Sequence, residues 1–129
     1  MKCIFCKIIK DDKQDRKVWQ NKDFLLLLDI KPINPGHLLL IPKKHFSDIF
    51  GLPKPLYNKL VLLVKKFVPI LKKASKAKRI GLAIEGFGVN HAHVHIVPVN
   101  KGNELNPLRA KKVTAKALEL KQKSFLKFF

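Results

Sequence analysis

Apolar and polar positions alternate in two distinct rhythms along the 129-residue chain. Phe24–Ile30 and His37–Pro42 are short apolar runs separated by Lys31-Pro32-Ile33-Asn34-Pro35-Gly36. Two prolines and a glycine there exclude a helix or a central strand, so the pair reads as antiparallel strands joined by a turn. Before them, Lys17–Gln20 reads as an edge strand anchored by Val18 and Trp19, with Lys10–Arg16 a polar loop and Cys3–Ile9 a helical turn whose Ile4, Ile8 and Phe5 face inward. The rhythm then changes. Leu56, Leu60, Leu63, Val64, Phe67 and Leu71 recur at helical spacing with lysines opposite, which predicts a long helix over 54–79 that Pro69 kinks or ends. Ile80–Glu85 and Asn90–Val99 return to strand, with Gly86-Phe87-Gly88 between them. Pro107–Phe129 reads as a basic, amphipathic helix or tail. The expected fold class is α+β, an antiparallel sheet of about five strands with one long helix; strands run together in hairpins, not in repeated β-α-β units.

The last of these strands carries the chemistry. In Asn90-His91-Ala92-His93-Val94-His95-Ile96, period-2 alternation sends His91, His93 and His95 to one face and Ala92, Val94 and Ile96 to the other, the core side. Three of the five histidines of the chain fall within five positions. Three ionisable rings on one face gain nothing for packing, so the row reads as catalytic or metal-binding rather than as a surface strand.

Charge adds less than its size suggests. Lys and Arg number 27 against nine Asp and Glu, a formal charge of +18, which favours anionic partners. Only Arg16, Arg79 and Arg109 are arginine; lysine spread along a chain is a solvated point charge without the bidentate fork. Specific nucleic-acid binding is therefore not expected. The apolar runs are too short for a membrane span or a signal peptide, so a cytoplasmic protein is expected. The two cysteines, Cys3 and Cys6, are spaced as C-x-x-C; a metal half-site or a redox pair fits that spacing better than a structural disulfide, and the redox reading lacks the preceding strand it requires.

His91-Ala-His93-Val-His95-Ile-Val resembles the His-φ-His-φ-His-φ-φ signature of the histidine triad superfamily. Cys3-Ile-Phe-Cys6-Lys-Ile-Ile, Asp29-Ile-Lys-Pro32-Ile-Asn-Pro-Gly36-His37 and Leu40-Ile-Pro42-Lys-Lys-His45 resemble blocks of its bacterial Hint-like branch, in the same order and over about residues 3–100. The resemblance implies a triad domain over 1–100, with 101–129 a basic, helical C-terminal segment of the same unit. It also implies a homodimer, and a nucleotide hydrolase or nucleotidyl transferase acting at the α-phosphate of purine nucleoside phosphoramidates or related conjugates. A dinucleoside polyphosphate hydrolase using the same residues, and a basic nucleotide- or RNA-binding module without turnover, are the alternatives. By the same resemblance His93 is the nucleophile, His95 binds phosphate and protonates the leaving group, and His37 adjoins them. Asp29 is placed at the ribose hydroxyls, with turn capping as its other reading. Backbone N–H groups around Gly88 and Asn90 would hold phosphate oxygens, and Phe5, Ile8, Phe24 and Ile30 are candidates for the base pocket. Two departures stand out: Ile84 occupies a position that is commonly polar, and the loop 85–90 is short, so a helper contact to phosphate is either missing or moved to Asn90. Some members bind zinc, which assigns a structural Zn²⁺ to Cys3, Cys6, His45 and His91; a pair of reduced thiols packed in the N-terminal turn is the alternative.

Overall fold

The computed structural model describes residues 3–129. Ten elements follow in order: α1 (Ile4–Lys10), β1 (Lys17–Gln20), β2 (Phe24–Leu28), β3 (Leu38–Pro42), a 3-10 turn (Ile49–Gly51), α2 (Lys54–Ser75), β4 (Arg79–Ala83), β5 (Val94–Val99), a second 3-10 turn (Pro107–Arg109) and α3 (Ala115–Leu126). The strands form one antiparallel sheet in the order β1-β2-β3-β5-β4.

Residue parity explains how five unbroken apolar residues make a strand. Phe24, Leu26 and Leu28 point to one face, where Leu38, Leu40, Val94 and Ile96 join them against Leu60, Val64, Phe67 and Leu71 of α2 and Phe125 of α3. Leu25 and Leu27 point the other way, with Leu39, Ile41 and Phe5 of α1. A strand buried on both faces needs no polar alternation. The second face carries the histidines, because His37 shares the parity of Leu39 and Ile41, and Asp29 that of Leu25 and Leu27.

Several boundaries differ from the pattern-based expectation. Helix α2 runs through Pro69 and ends at Ser75, with Lys76 left-handed at φ 59°. Proline removes one helical hydrogen bond, and the buried stripe of Leu60, Val64, Phe67 and Leu71 on both sides of it holds the helix together. Strand β2 stops at Leu28, and β4 stops at Ala83. Strand β5 begins only at Val94, so His91 and His93 lie on the extended segment leading into it. In α1 it is Phe5 that is buried, while Ile4 is 50% exposed. The C-terminal helix closes the sheet at β1: Phe125 is fully buried, and Gln122 Nε2 donates to the Lys17 carbonyl at 2.9 Å. Gly36, at φ +88°, sits where a Cβ would lie 2.7 Å from the Phe125 ring, so the 31–36 turn is tied to α3. Among the described residues no helix is long and apolar enough to cross a membrane.

Candidate functional site

Among the described residues two clusters of metal-ligating side chains form on the histidine face: Cys3, Cys6, His45 and His91, and Asp29, His37 and His95. A cavity of about 780 Å³ opens between α1, the end of β2, the start of β3 and the 83–89 loop, and His37, His93 and His95 line it.

The hydrogen at each ring follows from its backbone partner. His93 Nδ1 lies 2.7 Å from the His91 carbonyl oxygen. A carbonyl only accepts, so Nδ1 carries the hydrogen and the other nitrogen, Nε2, keeps its lone pair. His37 is the reverse case. The Ile33 backbone N–H donates to His37 Nδ1 at 3.0 Å, which leaves the hydrogen on Nε2. That nitrogen is 2.8 Å from His95 Nδ1, so it donates there, and the hydrogen of His95 is displaced to its own Nε2. One peptide N–H thereby sets the tautomers of two histidines in series. The His93 and His95 rings stand edge to face with centroids 5.1 Å apart.

Burial favours the neutral forms of His37 and His95. The pKa of His37, only 2% exposed, is pushed down to about 4, chiefly by burial and further by His95, against the pull of Asp29. That of His95 is lowered by burial first and by His93 second, with Asp29 and Glu85 opposing. Asp29 divides its carboxylate: Oδ1 accepts the Lys31 N–H at 2.9 Å, capping the turn, while Oδ2 is 3.6 Å from His37 Nε2. The turn-capping reading of Asp29 thus has its contact, and the other oxygen faces His37.

The Cys3, Cys6, His45 and His91 cluster brings four ligand atoms together that could hold a cation. His91 Nε2 donates to the Pro42 carbonyl at 2.8 Å, so Nδ1 presents its lone pair to the cluster. Nδ1 is 3.4 Å from Cys3 Sγ, 3.5 Å from Cys6 Sγ and 3.1 Å from His45 Nδ1, and Cys6 Sγ is 3.3 Å from His45 Nδ1. Bonds of about 2.0–2.3 Å to a tetrahedral zinc place donor atoms about 3.3–3.8 Å apart. Three of the observed separations lie within that range and the His45–His91 one just below it, and both cysteines are free. Cys3 also N-caps α1 by accepting the Cys6 N–H, which fixes the two sulfurs on the same side of the turn. Burial lowers the His91 pKa, keeping the ring unprotonated as a ligand requires.

Of the residues singled out from sequence, Phe5, Ile8, Asp29, Ile30, His37, Gly88, His93 and His95 line the large cavity together. Phe24 does not: its parity puts it in the α2 core, fully buried, on the far side of the sheet from the cavity. Asn90 lies away from the large cavity and lines the smaller one beside Cys3, Cys6 and His45. Ile84 lines the large cavity, 39% exposed and apolar. Pattern reading missed three features. Arg16, assigned to a polar loop, lines the cavity; its signal was being one of three arginines in a lysine-rich chain. Leu105, Pro107 and Ala110 from the C-terminal segment line the same cavity, and nothing in their spacing announces it. The controlling groups at the histidines are backbone N–H and C=O groups, which no residue name encodes.

A five-stranded antiparallel sheet carrying this row of tautomer-fixed histidines defines a histidine triad protein. The HIT domain model matches residues 10–102, and the chain belongs to that family. The match does not reach Cys3, Phe5 or Cys6, whose placement rests on the structure. The chain is similar in fold to a hypothetical histidine triad nucleotide-binding protein from Sulfolobus tokodaii (TM-score 0.84, 30% identity, 97% of this chain and 90% of that one). It is also similar to a zinc-bound histidine triad family protein from Mycobacterium smegmatis (TM-score 0.77, 26% identity, 98% and 95%). In sequence it is 32% identical over 108 residues to an adenosine 5'-monophosphoramidase of Candida albicans, covering 74% of this chain and 69% of that one.

Proposed function

We propose that the protein hydrolyses purine nucleoside phosphoramidates, or transfers their nucleotidyl group, through a covalent intermediate on His93. The observation that carries this reading is the 2.7 Å contact between His93 Nδ1 and the His91 carbonyl. It occupies Nδ1 and turns the other nitrogen, Nε2, to the cavity that the ring itself lines.

In the first step His93 Nε2 attacks the α-phosphorus and the bond from phosphorus to the leaving nitrogen breaks. His95 donates a hydrogen bond from its Nε2–H to that nitrogen, which takes up a proton from solvent, so the amine departs neutral. In the second, water attacks the same phosphorus and releases its proton to solvent, and the bond to His93 Nε2 breaks to release the nucleoside monophosphate. His37, held neutral, keeps His95 in the donor tautomer throughout. Asp29 Oδ2 takes the ribose hydroxyls, and Phe5, Ile8 and Ile30 flank the base. The Candida albicans relative, named as a monophosphoramidase, supports the choice of leaving group.

The Cys3, Cys6, His45 and His91 set would hold zinc as a closed structural site that ties α1 to the segment before His93; every ligand position is filled by protein, so it supplies no chemistry to the reaction. The free cysteines suit a reducing cytoplasm. The outer edge of β4, with Leu82 46% exposed, is the face we assign to a second copy in a homodimer.

Incubation with adenosine 5'-phosphoramidate should release AMP, and quenched reactions should yield a His93-linked nucleotide by mass. No turnover of any nucleoside phosphoramidate by the zinc-loaded protein would overturn the reading.

A further inference from the structure

The order of the strands lays out an address for each part of a nucleotide. His95 lies on β5 opposite Leu39 of β3, the Asp29 N–H donates to the His37 carbonyl at 3.0 Å, and the Leu28 N–H donates to the Arg16 carbonyl at 2.8 Å. Arg16, Asp29, His37 and His95 therefore follow one another across four neighbouring strand ends on the cavity side of the sheet. At about 4.8 Å per strand, Arg16 stands roughly 14 Å from the line of β5 and Asp29 roughly 10 Å. Phosphate at His93 and His95 and ribose at Asp29 leave the base at Arg16.

Arg16 is unusual in three respects. It holds a left-handed backbone, φ 67°, where glycine or asparagine is the ordinary occupant. Its Nε donates to the Leu28 carbonyl at 2.8 Å, which fixes the plane of the guanidinium. Its two terminal amines make no hydrogen bond or ion pair among the described residues, yet the half-buried side chain lines the cavity beside Phe5, Ile8 and Ile30. The result is a pair of unpartnered donors on a tethered guanidinium that lines the cavity with these apolar residues. Lys31, also at the cavity, is exposed and untethered.

We propose that Arg16 is the base-reading residue of this site and selects 6-oxopurines, guanine or hypoxanthine, over adenine. Two parallel N–H donors match the O6 and N7 acceptors of a 6-oxopurine. Adenine offers N7 beside an amino group, and that donor would face a donor. The inference rests on the nucleotide-conjugate reading above and extends it to the base.

The test compares guanosine with adenosine 5'-phosphoramidate on the full zinc-loaded protein, alongside direct calorimetric binding of GMP and AMP. The wild type should favour the guanosine compound in kcat/KM, and GMP in Kd, by about tenfold or more, the scale of one bidentate base contact. Arg16→Lys keeps the charge without the fork, and Arg16→Gly suits the left-handed backbone. Both should collapse that preference, raising KM and Kd for the guanine compounds by about tenfold and those for the adenine compounds by less. Equal losses on both bases would make Arg16 a brace for Leu28 and overturn the proposal, as would a wild type that prefers adenine or shows no preference. A preference for GMP over AMP that Arg16→Lys abolishes, seen in a protein without turnover, would uphold the base reading and sink the hydrolase reading alone.

Discussion

The Cys3–Cys6–His45–His91 and Asp29–His37–His95 clusters use the same kinds of side chain, and the backbone treats their buried histidines in opposite ways. At His91 a carbonyl takes the hydrogen at the far nitrogen, so the near nitrogen shows a lone pair to its neighbours. At His37 a peptide N–H occupies the far nitrogen, so the near one shows a hydrogen. A metal needs the lone pair. Binding one at His37 Nε2 would move the ring hydrogen to Nδ1, against the Ile33 N–H, at the cost of a buried donor facing a donor. Ligand spacing alone nominates both clusters; the outer hydrogen bond leaves a lone pair open to a cation in one of them and puts a hydrogen in that place in the other. Proximity of ligating atoms is therefore a weak guide to metal sites unless the hydrogen on each imidazole is traced to its partner.

Breaking each cluster should give a different failure. The largest effect is on the chemical side: His93→Ala should lower phosphoramidate turnover by about a thousandfold or more, with zinc content and thermal midpoint unchanged by metal analysis and calorimetry. On the other side, Cys3→Ser with Cys6→Ser should empty the metal site. At free zinc a thousandfold above its dissociation constant this removes about 4 kcal/mol of stabilisation, on the order of 15 °C in the midpoint for a chain of this size. Turnover well below the new midpoint should survive.

A smaller effect separates the clusters by pH. The folded pKa of His37 is about 4, whereas an unfolded histidine titrates near 6.5. As pH falls the unfolded chain takes up this proton first, so the contribution of His37 is complete above about pH 6.5 and is lost on the way down to about 4, about 3 kcal/mol in all. Chemical denaturation of wild type and His37→Gln across that window should show a shallower fall for the variant; parallel curves would mean that His37 is not held neutral by the fold. The last measurement expects no change. Zinc stoichiometry should be one per chain, and Asp29→Asn or His37→Gln should leave it at one. A second equivalent lost in either variant would erase the distinction between the clusters.

How much of this was legible beforehand follows from where the information resides. The helical stripe of α2 and the turn at 31–36 show in the pattern because side-chain type and period carry them. So does the separation of His93 and His95 from Ala92, Val94 and Ile96, since alternation is a property of extended backbone whether or not the ladder has begun. Phe24 was misplaced because a run of five apolar residues hides its own parity: every residue looks equally suited to either face, and only pairing with β3 decides. Arg16 was passed over because a left-handed residue in a polar loop has no period. The tautomers were beyond reach for a different reason. Ile33, Pro42 and His91 act through main-chain atoms, which any residue would supply except proline as a donor.

Phe5 meets the rings of both His91 and His93 edge-on, with centroids 5.8 and 5.5 Å away, and it shares a single helical turn with Cys6 and Ile8. The wall of the large cavity is thus hung from the candidate metal ligands. If zinc and nucleotide bind as proposed, zinc scarcity would reach this protein as a loss of grip on its substrate, a rise in KM that precedes unfolding and leaves kcat intact.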